Sequence, residues 1–292
     1  MAPDAALNSL KRERPEWKPW LAVVEEILCE AAAPEWDTAV PAGANGHQPV
    51  TPLLAGATLP LQASSIRRLL KRLIRIASRS GTPKMTTLAA VLRADLDVLT
   101  LFTASLCQDI DRVTQVAAVS GADAEALQAV AVLVPVPFLQ ACNRRWASSI
   151  PASWVEGYCP VCGSWPAFAE VRGIERSRYF RCGRCGGEWH SQTLSCPYCA
   201  RSDHNELVAL VPGKDNSPAV IEACKRCLGY VKTFTRLQGC PPGTVMLEDL
   251  GSVALDVAAL GQGYGRPAGA AYPLDVTVED KDPRRRFFAW NA

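Results

Sequence analysis

The chain has 292 residues, enough for two domains, and its 48% hydrophobic and 21% charged content is that of a protein with a real core, which excludes disordered and fibrous classes. Its 31 Lys and Arg against 29 Asp and Glu leave a net charge of +2, which argues against a nucleic-acid binder, where a much stronger basic bias is usual. The opening MAPDAALNSLKRERPEWK scatters charges where an export signal needs an apolar core. The most apolar stretch, Ala129 to Leu139, is too short to span a membrane and is broken by Pro135 and Pro137. These features lead us to expect a cytoplasmic protein with no membrane span, in a compartment where thiols stay reduced.

The first half reads as helices. Trp17 to Glu30 places Trp20, Leu21, Val24, Ile27 and Leu28 near helical spacing. A Gly-, Pro- and Ala-rich loop is expected from Pro41 to Pro60. Beyond it, Ser64 or Ser65 is placed to cap a helix whose apolar face is Ile66, Leu69, Leu70, Leu73, Ile74 and Ala77, with Gly81 placed to end it. Arg67, Arg68, Lys71, Arg72 and Arg75 make one side of that helix basic, either a solvated face or a dock for an acidic partner. Further helices are expected within Thr86 to Val119, Ala122 to Val134 and Leu139 to Ala147.

The composition changes near Ser148-Ser149-Ile150-Pro151. Short stretches of β character follow at Ala167 to Val171, Ser177 to Arg181, Glu206 to Val211 and Tyr230 to Thr235. Val245 to Leu260 is helical in pattern, and a Gly- and Pro-containing tail, with an arginine-aromatic run from Arg284 to Trp290, closes the chain. The expected architecture is α+β. An all-α helical domain (residues 1–150) precedes two tandem rubredoxin/zinc-ribbon-like four-cysteine modules (151–195 and 196–240), with a C-terminal helix and tail at 241–292.

Eight of the 12 cysteines fall in four CxxC pairs: Cys159/Cys162, Cys182/Cys185, Cys196/Cys199 and Cys224/Cys227. Two residues between cysteines let the backbone turn and aim both sulfurs at one point, and two such knuckles complete a tetrahedral set of thiolates. The linker from Gly163 to Arg181 has 19 residues, inside the window of about 15–20 usual for such sites. The linker from Ala200 to Ala223 has 24, the excess assigned to a hairpin at Pro212 to Asn216. The units repeat, an opening CPxC and a closing CxRC in each. Gly163 and Gly186 follow their knuckles, where positive φ lets an amide face sulfur. Ala200 and Leu228 stand at the equivalent places, so the second site is expected to be less regular. The spacing leaves other readings open: bare thiols or disulfides, interleaved pairing of Cys159/Cys162 with Cys196/Cys199, or a redox CxxC. Four thiolates suit zinc or a single iron equally. His190 is a spare ligand type beside two already complete sets, and Cys29, Cys107, Cys142 and Cys240 read as small buried residues.

Several words in the sequence resemble the formate dehydrogenase accessory protein family, FdhE. They are Cys142-Asn-Arg-Arg-Trp-Ala-Ser-Ser, Gly157-Tyr-Cys-Pro-Val-Cys-Gly-Ser, Arg178-Tyr-Phe-Arg-Cys with Glu188-Trp-His, Glu222-Ala-Cys-Lys-Arg-Cys-Leu-Gly-Tyr-Val-Lys, and the helix from Glu248-Asp249 to Asp256. Glu248 stands where the family more often has a second aspartate. The resemblance implies a cytosolic, non-enzymatic factor required for active respiratory formate dehydrogenase, binding its catalytic subunit before twin-arginine export. It also implies rubredoxin-type iron at the cysteines, with zinc the alternative, and a homodimer. A zinc-ribbon nucleic-acid binder and a rubredoxin-like electron carrier are the competing functions. With three histidines and neither a phosphate loop nor a nucleophile elbow, no catalytic set emerges.

Overall fold

A computed structural model describes residues 3–43, 50–79, 82–92, 96–211 and 219–281. Gly81, the Pro212 to Asn216 hairpin and the Arg284 to Trp290 tail lie outside them. In chain order the elements are α1 (Pro3–Glu13), α2 (Lys18–Ala31), α3 (Glu35–Ala39), β1 (Thr58–Leu61), α4 (Ala63–Ser78), α5 (Pro83–Thr87), α6 (Val98–Cys107), α7 (Ile110–Ser120), α8 (Ala124–Ala131) and α9 (Val136–Trp146). Then come β2 (Phe168–Arg172), β3 (Ser177–Arg181), β4 (Glu188–His190), β5 (Leu207–Leu210), β6 (Ala219–Cys224), β7 (Tyr230–Arg236), α10 (Val245–Gly251), α11 (Val253–Gly261) and β8 (Thr277–Asp280). They form two compact units. Over the described residues, a helical unit holds 11–43, 55–145 and 274–281, and a cysteine unit holds 3–10, 50–54 and 146–273.

In the helical unit, α4 buries Ile66, Leu69, Leu70, Leu73, Ile74 and Ala77, the face its periodicity assigned. Its start differs from expectation. Neither Ser64 nor Ser65 caps it. Gln62 is the cap residue and its side chain makes no cap hydrogen bond, while the Ala63 amide donates to the Asp280 carboxylate at 3.4 Å. An acidic group from β8 thus meets the positive end of the helix. β8 itself runs parallel to β1, pairing Thr58 with Thr277 and Leu61 with Asp280, where only loop and tail were expected. The helices α6, α7 and α8 each start on an aspartate (Asp97, Asp109, Asp123) whose side chain accepts from a backbone amide of the first turn. The stretch Ala124–Ser149, which takes in α8 and α9, is long and apolar enough by length and composition to cross a membrane, but 72% of its apolar window is buried within the protein, as in a core helix.

The cysteine unit is organised by a six-stranded sheet in the order β4-β3-β2-β7-β6-β5. Each module contributes one antiparallel triplet: β2-β3-β4 and β5-β6-β7. The triplets join head to tail through a parallel pairing of β2 with β7, Phe168 opposite Lys232 and Arg172 opposite Arg236. One face of this sheet is covered by α10 and α11, which seat Val245 against Phe168 and Ala259 against Ile221, Ala223 and Tyr230. The single helix expected from Val245 to Leu260 is two, because Ser252 breaks it, its hydroxyl donating back to the carbonyls of Glu248 and Asp249.

Charge is buried under that helix pair. Lys232 is fully buried, with its ammonium 2.7 Å from Asp249 and 2.9 Å from Asp256. Arg266 reaches the same two carboxylates at 2.8 Å each, and the Tyr230 hydroxyl donates to Asp256 at 2.7 Å. Toward β4, the buried Glu170 carboxylate takes Arg181 at 3.1 Å, Arg236 at 3.2 Å, Arg172 and the Cys240 amide.

Candidate metal centres

The four knuckles are built alike. In each, the first cysteine's amide donates to the carbonyl five residues on: Cys159 to Ser164 (2.9 Å), Cys182 to Gly187 (2.9 Å), Cys196 to Arg201 (2.9 Å) and Cys224 to Gly229 (2.8 Å). The residue after each second cysteine has positive φ: Gly163 at 66°, Gly186 at 73°, Ala200 at 56° and Leu228 at 56°. The second pair of knuckles is therefore as regular in backbone as the first, contrary to the expectation drawn from its missing glycines. Left-handed backbone at Ala200 and Leu228 costs on the order of 1 kcal/mol each, which the shared turn outweighs.

Folding gathers the eight cysteines into two groups, Cys159, Cys162, Cys182 and Cys185 in one, and Cys196, Cys199, Cys224 and Cys227 in the other, with the sulfurs of each group within 4.8 Å of one another. Pairing is thus sequential rather than interleaved, and no disulfide joins any of the 12 cysteines. The closest sulfur–sulfur approaches are 3.5 Å for Cys159–Cys185 and Cys162–Cys182, 3.6 Å for Cys196–Cys227 and 3.8 Å for Cys199–Cys224. A tetrahedral ion with metal–sulfur bonds of about 2.3 Å has edges of about 3.8 Å, so both groups could hold an ion of this class. Zinc and iron fit the donor set equally.

Backbone amides face the sulfurs. Cys185 donates to Cys182 Sγ at 3.5 Å and Gly187 to Cys185 Sγ at 3.4 Å. In the second group the amides of Cys199 and Tyr198 serve Cys196, those of Cys227 and Arg226 serve Cys224, and that of Gly229 serves Cys227. In the first group, burial pushes the Cys159 thiol up, whereas hydrogen bonds from Cys159 and the neighbouring cysteines hold Cys162 down. Four adjacent thiols share few negative charges on their own. A divalent ion, if held there, would supply the field that keeps all four as thiolates and would tie the two knuckles of a module together.

The two groups differ in enclosure. All four cysteines of the first are buried, whereas Cys199 and Cys227 of the second are exposed and only Cys196 and Cys224 are buried. His190 lies on β4, exposed, with its ring edge-on to Tyr179 at 5.7 Å, and belongs to neither group. Cys142 and Cys240 are buried as expected, but Cys29 is exposed and Cys107 half-buried. Three of the five basic residues of α4 are tied down within the helical unit: Arg67 donates to the Leu96 carbonyl, Arg68 pairs with Glu35 at 3.2 Å, and Arg72 pairs with Glu26 at 2.7 Å and with Glu30, whereas Arg75 is exposed. Arg144 likewise binds Asp37 at 2.8 Å and the Ala31 carbonyl at 2.9 Å. Sequence reasoning missed a cavity of about 510 Å³ beside the second group, lined by Cys196, Cys224, Tyr198, Val231, Arg178 and Glu222 among others. Its residues come from separate strands and a loop, so no local pattern announces it.

No protein-family model matches the chain. It is 34% identical over 151 residues to the Protein FdhE homolog of Pseudomonas putida, covering 46% of each chain. It is 31% identical over 115 residues to the Aquifex aeolicus FdhE homolog, covering 38% of this chain and 40% of that one. It is 33% identical over 113 residues to Protein FdhE of Escherichia coli, covering 37% and 35%. The matches thus span less than half the length of these curated relatives. Among solved structures, the crystal structure of the FdhE protein from Pseudomonas aeruginosa shares the fold, with a TM-score of 0.56, 21% identity and 93% of this chain covered against 94% of that one.

Proposed function

We propose that this chain, which belongs to the FdhE family, is a cytoplasmic accessory factor for formate dehydrogenase that binds the immature catalytic subunit before its twin-arginine export. The observation that carries the reading is the combination of similarity to FdhE proteins with two preformed sets of four cysteines. Cys159, Cys162, Cys182 and Cys185 would hold one metal ion and Cys196, Cys199, Cys224 and Cys227 a second, iron by the family resemblance and zinc otherwise. Each ion would fix a ribbon-like module and so shape the surface that meets the partner. The role is that of a binding factor rather than a catalyst, and the protein would work as a homodimer. The internal pairing of Arg67, Arg68 and Arg72 offsets part of the basic face on which a nucleic-acid reading depended.

The test is capture of the formate dehydrogenase catalytic subunit by the tagged protein and by its Cys159→Ser/Cys162→Ser variant, with metal content read from the same samples. Capture by the wild type, weakened in the metal-depleted variant, supports the role. Failure of the folded, metal-loaded wild type to capture that subunit sinks it.

A further inference from the structure

The two cysteine groups share a backbone design but not a surrounding. Around the first, chain segments distant in sequence close over the knuckles. The amides of Leu53 and Leu54 donate to the carbonyls of Pro160 and Val161 at 2.7 and 3.1 Å, and Tyr272 donates to Gly163 at 3.0 Å. A methyl group built on Gly163 would stand 2.9 Å from Tyr272 Cβ, and one on Gly186 only 2.6 Å from the Pro242 carbonyl oxygen, so these segments lie in direct contact with the turns. All four sulfur-bearing residues are inaccessible as a result.

Among the described residues, the second group has cover on one side only. Tyr198 packs over Gly229 and donates its hydroxyl to the Tyr230 carbonyl at 2.8 Å, and Gly265 donates to Leu228 at 2.8 Å. Beyond these, Cys199 and Cys227 face solvent, next to the exposed Lys225, Arg226 and Leu228. The two buried members, Cys196 and Cys224, border the 510 Å³ cavity. Solvent therefore reaches this group from its outer rim, and an open space adjoins its inner pair.

We infer that the second site is an exchange site: a small soluble chelating or thiolate ligand displaces its metal from the folded protein, while the first site keeps its metal until the module unfolds. This deepens the reading of both groups as metal sites and rests on it. The step is ligand substitution. The incoming lone pair forms a metal–ligand bond as one metal–sulfur bond breaks, the cysteine leaves with both electrons as thiolate and takes a proton from water, and no redox change occurs. Cys199 and Cys227 dissociate first because they alone are exposed on the ligand's approach path. Release from the first site needs the roof of residues 53–54, 242 and 272 to open, an event on the scale of module unfolding.

The experiment mixes the metal-loaded protein with excess EDTA, removes samples at intervals by desalting, and measures bound metal by mass spectrometry. Parallel samples are alkylated with iodoacetamide and mapped peptide by peptide. The expected result is two phases of one equivalent each, separated by on the order of 10-fold or more in rate. Alkylation of Cys199 and Cys227 accompanies the fast phase, and Cys159, Cys162, Cys182 and Cys185 stay unmodified through it. Cys227→Ser should abolish the fast phase and retain the slow one. Should that variant fail to fold, the alkylation map of the wild type decides alone. A single phase for both equivalents, or alkylation of the first group as early as the second, overturns the inference while leaving the metal reading intact. A protein that takes up no metal at all overturns both.

Discussion

Lys232 carries its ammonium 2.9 Å from the Asp256 carboxylate with no exposure of its own to solvent. Their strand and helix meet there, so the pair fixes α11 onto the sheet. Removing one partner of a buried pair leaves the other charge under-compensated, here two carboxylates with only Arg266 and the Tyr230 hydroxyl, which is costlier than losing both. With Arg266 still pairing both carboxylates, Lys232→Met is expected to destabilise the cysteine unit by about 2–4 kcal/mol, short of the ~3–5 kcal/mol of a fully orphaned charge. The triple change that also converts Asp249 and Asp256 to Asn should recover part of that loss. Urea titration of the metal-loaded proteins measures both. A loss below about 1 kcal/mol in the single variant would mean that the charges are better solvated than their burial implies.

The same carboxylate sets an acid limb. Burial alone would raise the Asp256 carboxyl, but hydrogen bonds from Lys232 and Tyr230 with the charges of Arg266 and Lys232 prevail and hold it below the ordinary range. A group that holds its proton less tightly in the fold than in the unfolded chain lends stability above the unfolded value, near ~3.9, and loses it as pH falls through the lower folded one. Wild type and Asp256→Asn should therefore differ most near neutrality and converge below about pH 4. Urea midpoints of the two proteins across that range give the answer. A gap that stays constant would detach the effect from this carboxyl.

Metal removal should act locally. A structural four-thiolate site contributes on the order of 10 kcal/mol, more than a small ribbon module can replace from its own core. Stripped of metal, the cysteine unit is expected to lose amide protection across β2, β3, β6 and β7, while α4, α6 and α9 in the helical unit keep theirs. Hydrogen exchange followed by mass spectrometry resolves the two. Protected strands in the metal-free protein would show that the cysteines are dispensable for the sheet.

The grouping of the cysteines was legible because both cysteines of a knuckle sit within one turn and each module closes over a short hairpin. The apolar stripe of α4 and the strands β2, β3, β5 and β7 were legible from local period. What was not legible depends on distance. β6, Ala-Val-Ile-Glu-Ala-Cys, is apolar at all but one position, so it shows no alternation. β4 has only three residues. The pairing of β1 with β8 joins residues such as Thr58 and Thr277 across most of the chain, and the contact that Asp280 gives the start of α4 joins residues 217 apart. The Lys232–Asp249–Asp256–Arg266 cluster escapes for a further reason: a lysine in a strand reads as surface, and only the helix folded over it makes it core.

Ala200 and Leu228 supply the last test. Both hold φ of 56° where Gly163 and Gly186 hold 66° and 73°. A side chain in this region carries a steric penalty of roughly 1–2 kcal/mol that glycine avoids, partly offset by glycine's greater freedom in the unfolded chain. Ala200→Gly and Leu228→Gly should therefore leave the metal-loaded protein as stable as the wild type or up to about 1 kcal/mol more so. Leu228 is exposed, so its truncation sacrifices little packing. The reverse changes behave oppositely. Gly186→Ala brings a methyl within 2.6 Å of the Pro242 carbonyl oxygen and adds the same φ penalty, so a loss of about 2 kcal/mol or more is expected. Thermal unfolding of the three single variants ranks them. If Leu228→Gly proves as damaging as Gly186→Ala, the leucine side chain contributes packing that its exposure conceals, and the shared turn does not by itself set the stability of the second site.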